Sequence, residues 1–159
     1  VDSVELACAL GYHALQAGAR ILNMTFAEDI CVSEGRMRGL VINRTRISQQ
    51  LPIDPIMLHG RVVIDGTGHD AVLVNLLRKR GLLPELPDTG GEFPMDADAG
   101  EAFVVEKTSE VYPGLLVMGM SVCTTYGGPR MGPIFGGMLL SGKRAAEISA
   151  EMVKEVVGR

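Results

Sequence analysis

Tryptophan is missing from this chain of 159 residues, and three tyrosines with four phenylalanines bring the aromatic share to only 4%. With 15 Lys and Arg against 19 Asp and Glu, the formal charge is -4 and there is no cationic excess. Neither a basic face nor a set of stacking platforms is on offer, so nucleic acid is not an expected partner. Cysteine is scarce: Cys8, Cys31 and Cys123 stand far apart without a CxxC pair. That suggests neither a disulfide frame nor a zinc knuckle, and it points to a reducing, cytoplasmic setting. No apolar run reaches the roughly 18 residues that a membrane helix needs, and no secretory leader pattern opens the chain. An initiator methionine is lacking too. Val1-Asp2-Ser3 leads straight into a helical pattern, so the chain is expected to be part of something longer.

What is present is globular. Hydrophobic residues make up 47% and charged residues 21%, and a chain of this length buries one sizeable core. Ser3 is expected to cap a first helix with Val4, Leu6, Leu10 and Leu15 on one face and Gly18 as its stop. Ala19 to Asn23 reads as a short buried strand. Ala27 to Ser33 and Arg38 to Arg46 read as a hairpin around Glu34-Gly35-Arg36. Arg61 to Asp65 is a buried strand that feeds Gly66-Thr67-Gly68-His69-Asp70 and a helix over Ala71 to Lys79. Pro84 to Gly100, rich in Pro, Gly and acids, reads as a long irregular loop. Leu115 to Gly119 is a further buried strand, and a Gly-rich segment, Gly127 to Gly137, opens a closing helix of about Ile134 to Val157. Strands alternating with helices argue for a parallel α/β sheet with an inserted antiparallel hairpin. Ligands of such sheets sit beyond the carboxyl ends of the strands, which here means residues 67–70 and 119–137.

Three constellations carry candidate chemistry. In Asp65-Gly66-Thr67-Gly68-His69-Asp70 the glycines allow a close backbone approach to a ligand, although His69 or Asp70 could equally be a helix cap. In Gly128-Pro129-Arg130-Met131-Gly132-Pro133, Arg130 stands just ahead of a helix start, where a guanidinium suits a carboxylate or phosphate. In Leu51-Pro52-Ile53-Asp54-Pro55, the proline holds the backbone of Asp54 extended. Asp54 and His69 form an O and N donor pair of the kind divalent iron accepts. Spacing alone does not bring them together. His13 reads as a helix residue and His59 as a surface one. Met120 flanks the proposed ligand turns.

Val-Val-Ile-Asp-Gly-Thr-Gly-His-Asp (62–70), Val-Met-Gly-Met (117–120) and Arg-Met-Gly-Pro-Ile-Phe-Gly-Gly-Met-Leu-Leu-Ser-Gly (130–142) together resemble the thiamine thiazole synthase family. Asp54-Pro55 and Phe-Ala-Glu-Asp (26–29) fall where that family has comparable segments. The resemblance implies a FAD/NAD(P)-binding Rossmann-like architecture, usually assembled as an octamer. It implies an activity that turns NAD, glycine and a sulfur source into an adenylated thiazole carboxylate with Fe(II). Asp54 and His69 resemble the iron ligands, in a site shared between neighbouring protomers. Arg130 resembles the residue that holds the glycine-derived carboxylate, while Met120 and the backbone near Ala27 resemble positions lining the NAD-derived adenylate.

Two departures are visible. The strand, Gly-rich turn and ribose-binding acid that open the family's fold have no counterpart here, so residues 1–159 are expected to be a single α/β domain lacking that unit. At the position where some members carry a sacrificial cysteine and others a histidine, this chain has Pro52. That implies free sulfide as the sulfur source, as in the archaeal and bacterial type, because Cys31 and Cys123 are not at the donor position. Competing expectations are a flavin- or NAD-dependent oxidoreductase, since Gly-Thr-Gly after a strand also occurs there, and an inactive nucleotide-binding or oligomerisation fragment.

Overall fold

The structure, a computed structural model, describes residues 2–44, 56–86 and 91–157. Helix α1 (Ser3–Gln16) is capped by Asp2 rather than Ser3: Oδ1 of Asp2 accepts the backbone N–H groups of Val4 and Glu5 at 2.8 and 3.0 Å. No residue of α1 is buried, and Val4, Leu10 and Leu15 stay exposed on its apolar face. Residues 19–23 do not form the expected buried strand. They join none of the described sheets, and Ile21 and Leu22 are half exposed. An apolar run alone does not make a strand; a neighbouring ladder must take up its backbone groups.

The hairpin is as the sequence suggests, and longer. Strands β1 (Thr25–Ser33) and β2 (Arg36–Arg44) pair antiparallel across Glu34 and Gly35. Both turn residues have positive φ, +53° and +69°, the left-handed pair whose twist matches the flanking strands. Strand β3 (Ile56–His59) adds to β2 antiparallel. Residues 45–55, which include Pro52 and Asp54, lie outside the described residues.

A second sheet has the order β4-β7-β6, built from β4 (Val63–Asp65), β7 (Leu115–Val117) and β6 (Ser109–Tyr112). Strands β4 and β7 run parallel, and β6 pairs antiparallel with β7. A third, two-stranded sheet joins β5 (Phe93–Met95) to β8 (Pro129–Arg130) in parallel. The fold is therefore mixed α/β, and among the described residues parallel pairing is confined to β4–β7 and β5–β8. All of β7 is buried, which fits the apolar run that marks it, and each such side chain contributes about 1.5–3 kcal/mol. The core gathers Met37, Leu73, Leu77, Val104, Leu115 and Val122 between the first two sheets and the helices α2 (Val72–Lys79), α3 (Ala97–Lys107) and α4 (Ser121–Tyr126).

Pro84 to Gly100 is a further correction. This stretch contains β5 and the first turn of α3, with residues 87–90 outside the described part. Asp96 caps α3, its Oδ1 accepting from the backbone of Ala99 at 3.1 Å. Gly100 explains why a glycine sits inside this helix. A Cβ there would lie 2.7 Å from Cα of Met131, so its absence lets α3 press directly on the segment after β8. The closing helix α5 (Phe135–Val157) then packs along α3.

Candidate functional site

The site is organised from below by Asp65, the last residue of β4, which is fully buried. A carboxylate in that position needs donors on every side. Its Oδ1 accepts from the backbone N–H and the hydroxyl of Thr67, at 3.0 and 2.7 Å, and Oδ2 accepts from the backbones of Leu73 and Val74 at 2.9 and 3.1 Å. Thr67 Oγ1 in turn accepts from the backbone of Val72 at 2.8 Å. The start of α2 is thus satisfied by Asp65 and Thr67, not by His69 or Asp70, which were the cap candidates. His69 is released for another use.

The short 3-10 turn Gly68–Asp70 carries His69, and α4 holds it in place. Ser121 donates to the carbonyl of Gly68 at 3.0 Å and Thr124 to that of His69 at 2.7 Å. Ala71 follows with φ +37° and ψ +53°, a left-handed conformation uncommon for a residue with a Cβ. The terminal methyl of Met120 would lie 3.7 Å from a Cβ at Gly68, so Met120 borders the same turn.

Arg130 reaches this place through the third sheet. The backbone N–H of Phe93 donates to the carbonyl of Gly128 at 2.9 Å, and that of Asp96 to the carbonyl of Arg130 at 3.1 Å. This pairing sets Glu92, the residue ahead of β5, between the two candidates. Its Oε2 lies 2.6 Å from Nδ1 of His69, and its Oε1 lies 3.3 Å from Nη1 of Arg130. Glu92 bridges these two candidates, and sequence reasoning did not single it out. Its only signal was an acid after two glycines, inside a stretch read as loop. The structure brings His69, Arg130 and Met120 to one region. Ala27 lies on β1 in the first sheet, partly buried against the core, and Asp54 falls outside the described residues.

Two more features bound the chemistry. Cys123, on α4, is buried, and its thiol is pushed up from an ordinary value near 9 to about 11, first by burial and then by the negative charge of Glu92. It stays a protonated thiol in neutral solution, which makes it a poor nucleophile. At the start of α5 the N–H of Gly137 is already taken, donating to Oε1 of Glu101 at 2.7 Å. Any anion at Arg130 is held by the guanidinium and not by that amide. Among the described residues no group of three or more His, Cys, Asp or Glu side chains is placed to hold a metal ion, and no helix is long and apolar enough to cross a membrane.

Comparison with known proteins adds the following. A family model described as the Thi4 family matches residues 1–135. The chain is 50% identical over 155 residues to a thiamine thiazole synthase of Thermotoga maritima, covering 97% of this chain and 60% of that protein. It is 46% identical over 158 residues to the thiamine thiazole synthase of Methanothermobacter thermautotrophicus, covering 96% and 61%. The crystal structure of Thermovibrio ammonificans THI4 superposes with a TM-score of 0.86 at 40% identity, covering 98% of this chain and 62% of that one. The chain spans about three-fifths of the length of these relatives.

Proposed function

This chain belongs to the Thi4 family, and on that premise we propose that it is the glycine- and metal-binding part of a thiazole synthase. The reaction it serves forms an adenylated thiazole carboxylate from NAD, glycine and sulfide. The observation that carries this reading is the placement of Glu92 between His69 and Arg130. It ties a candidate metal ligand to a candidate carboxylate clamp, residues 61 positions apart in the chain.

The residues divide the work by their chemistry. Arg130 is about half exposed and meets Glu92 through Nη1, so the rest of its guanidinium can take the carboxylate of glycine with two N–H donors. Fixing that carboxylate orients the amine and saves the reaction much of its entropic cost. Met120, against Gly68, borders the space for the NAD-derived moiety, and the backbone near Ala27 is read as a further part of its lining. The parallel β4–β7 pair, opening at residues 66–70 and 119–120, is read as the portion of a FAD/NAD(P)-binding Rossmann-like sheet within this single α/β domain.

The donor set fits ferrous iron. His69 has its Nδ1 on a carboxylate, the arrangement in which metal-binding histidines present their other nitrogen, and Asp54 supplies the oxygen ligand in this reading. When bound, Fe(II) would supply Lewis-acid activation of sulfide. The sulfur is read as free sulfide because Pro52 offers no nucleophile and Cys123 is held as a thiol. Exposed apolar side chains on α1 and β3, such as Leu10 and Met57, support assembly into a homo-oligomer, an octamer with the metal site shared between protomers. The free cysteines support a cytoplasmic setting.

The test is anaerobic incubation of this chain with NAD, glycine, sulfide and Fe(II), followed by mass analysis for the adenylated thiazole, with the Thermotoga maritima synthase as control. A full-length gene product containing this chain is run alongside; product from it and from the control, with Fe(II) and glycine binding by this chain, is the expected result. A functioning control beside a full-length product that forms no thiazole would refute the proposed reaction.

A further inference from the structure

We infer that Glu92 is a positioning residue that sets the tautomer of His69 and the reach of Arg130 at once, an inference resting on the roles proposed above for those two side chains. The carboxylate divides its oxygens, Oε2 to Nδ1 of His69 at 2.6 Å and Oε1 to Nη1 of Arg130 at 3.3 Å. A carboxylate only accepts, so in the neutral imidazole of His69 the ring hydrogen resides on Nδ1 and the lone pair on Nε2. Among the described residues no hydrogen bond engages Nε2. It is the atom left to meet a metal ion.

Burial and pairing make the contact more than a surface ion pair, which would be worth little. The side chain of Glu92 is 15% exposed and that of His69 25%. Glu92 directly precedes β5, whose Met95 pairs with Arg130 of β8. The backbone of His69 is fixed from the other direction, since its carbonyl accepts from Thr124. One carboxylate therefore couples two separately anchored groups, and it fixes the distance between the metal-facing nitrogen and the anion-facing guanidinium.

Glu92→Gln and Glu92→Leu test this. Arg130 can only donate, so the amide oxygen of the glutamine turns toward it and the NH2 faces Nδ1 of His69. The ring hydrogen must then move to Nε2. In Glu92→Leu no partner remains to hold it on Nδ1. Nitrogen-15 NMR of the metal-free chain is expected to show the Nδ1–H form of the neutral imidazole in the unaltered chain and its loss in both variants. Fe(II) affinity is expected to fall about 10- to 100-fold. Glu92→Gln is close to isosteric, so it answers the question even if Glu92→Leu fails to fold. An unchanged tautomer or an unchanged affinity in Glu92→Gln overturns the inference. If the unaltered chain takes up no Fe(II), the ligand role of His69 fails and this inference falls with it, a result the first titration shows before any variant is compared.

Discussion

Oδ2 of Asp65 lies 2.9 Å from the backbone nitrogen of Leu73, eight residues further along the chain. A side chain at the end of a strand thereby caps the helix that follows, and the turn between them is free to display His69. Asp65→Asn turns one acceptor oxygen into a donor facing N–H groups. With buried hydrogen bonds to charge worth about 1.5–3 kcal/mol each, the variant should lose roughly 2–4 kcal/mol in urea unfolding. A loss below about 1 kcal/mol would show that the cap is not what holds α2 to β4.

Two glycines in helices should respond oppositely to alanine. At Gly100 the new methyl meets Cα of Met131 at 2.7 Å, whereas at Gly142 nothing lies within 4 Å. Gly100→Ala should destabilise by about 1–3 kcal/mol through overpacking and displace the segment bearing Arg130. Gly142→Ala should stabilise by about 0.5–1 kcal/mol, because a mid-helix glycine carries extra chain entropy in the unfolded state. Thermal unfolding of the pair reads both signs, and equal signs would contradict the packing described for α3.

Cys123 predicts a pH dependence at the alkaline end. Its thiol is raised in the folded protein to about 11 from an ordinary value near 9, so between these values the native state holds a proton that the unfolded state releases. Stability from this group is complete below about pH 9 and is lost as the pH climbs toward 11. Cys123→Ala should flatten that part of the stability profile, whatever it does to the overall level. In native protein a thiol reagent should modify the exposed Cys8 first and Cys123 only on unfolding; rapid labelling of Cys123 at pH 8 would contradict its burial.

For the proposed reaction, in a full-length synthase that contains this chain, Arg130→Ala should raise the KM for glycine about 10- to 100-fold, the value of one bidentate charged contact, with a much smaller change for NAD. Equal losses for both substrates would speak against a carboxylate clamp. His69→Ala should abolish iron-dependent turnover while leaving the unfolding midpoint near that of the parent, since Asp65 and Thr67 carry the local structure. Asp54→Ala should abolish iron-dependent turnover in the same way, and normal product formation in both variants would reject the ligand pair.

Much of this was legible in the residue order. Glu34-Gly35 required a tight hairpin because both positions adopt positive φ. Leu-Leu-Val at 115–117 marked a strand buried on both faces. The motif residues His69, Arg130 and Met120 also pointed to one place. Helix α3 was hidden because its first turn lies in a Pro-, Gly- and acid-rich stretch, and its stability comes from contact with α5 and β8 more than from its own pattern. Helix α4 was hidden for a related reason: all but its last residue are buried, so it shows no amphipathic period.

Local chemistry by itself determined the hairpin turn and the most apolar buried strands, because turn geometry and buried apolar runs act within a few residues. It also singled out His69 and Arg130 as the candidate metal ligand and carboxylate clamp. Only the tertiary structure decided that Asp65 is a helix cap, that Glu92 joins His69 to Arg130, and that Cys123 lies beneath them as a protonated thiol. Each of those depends on groups more than a turn apart in the chain, and distance and burial between such groups follow from packing.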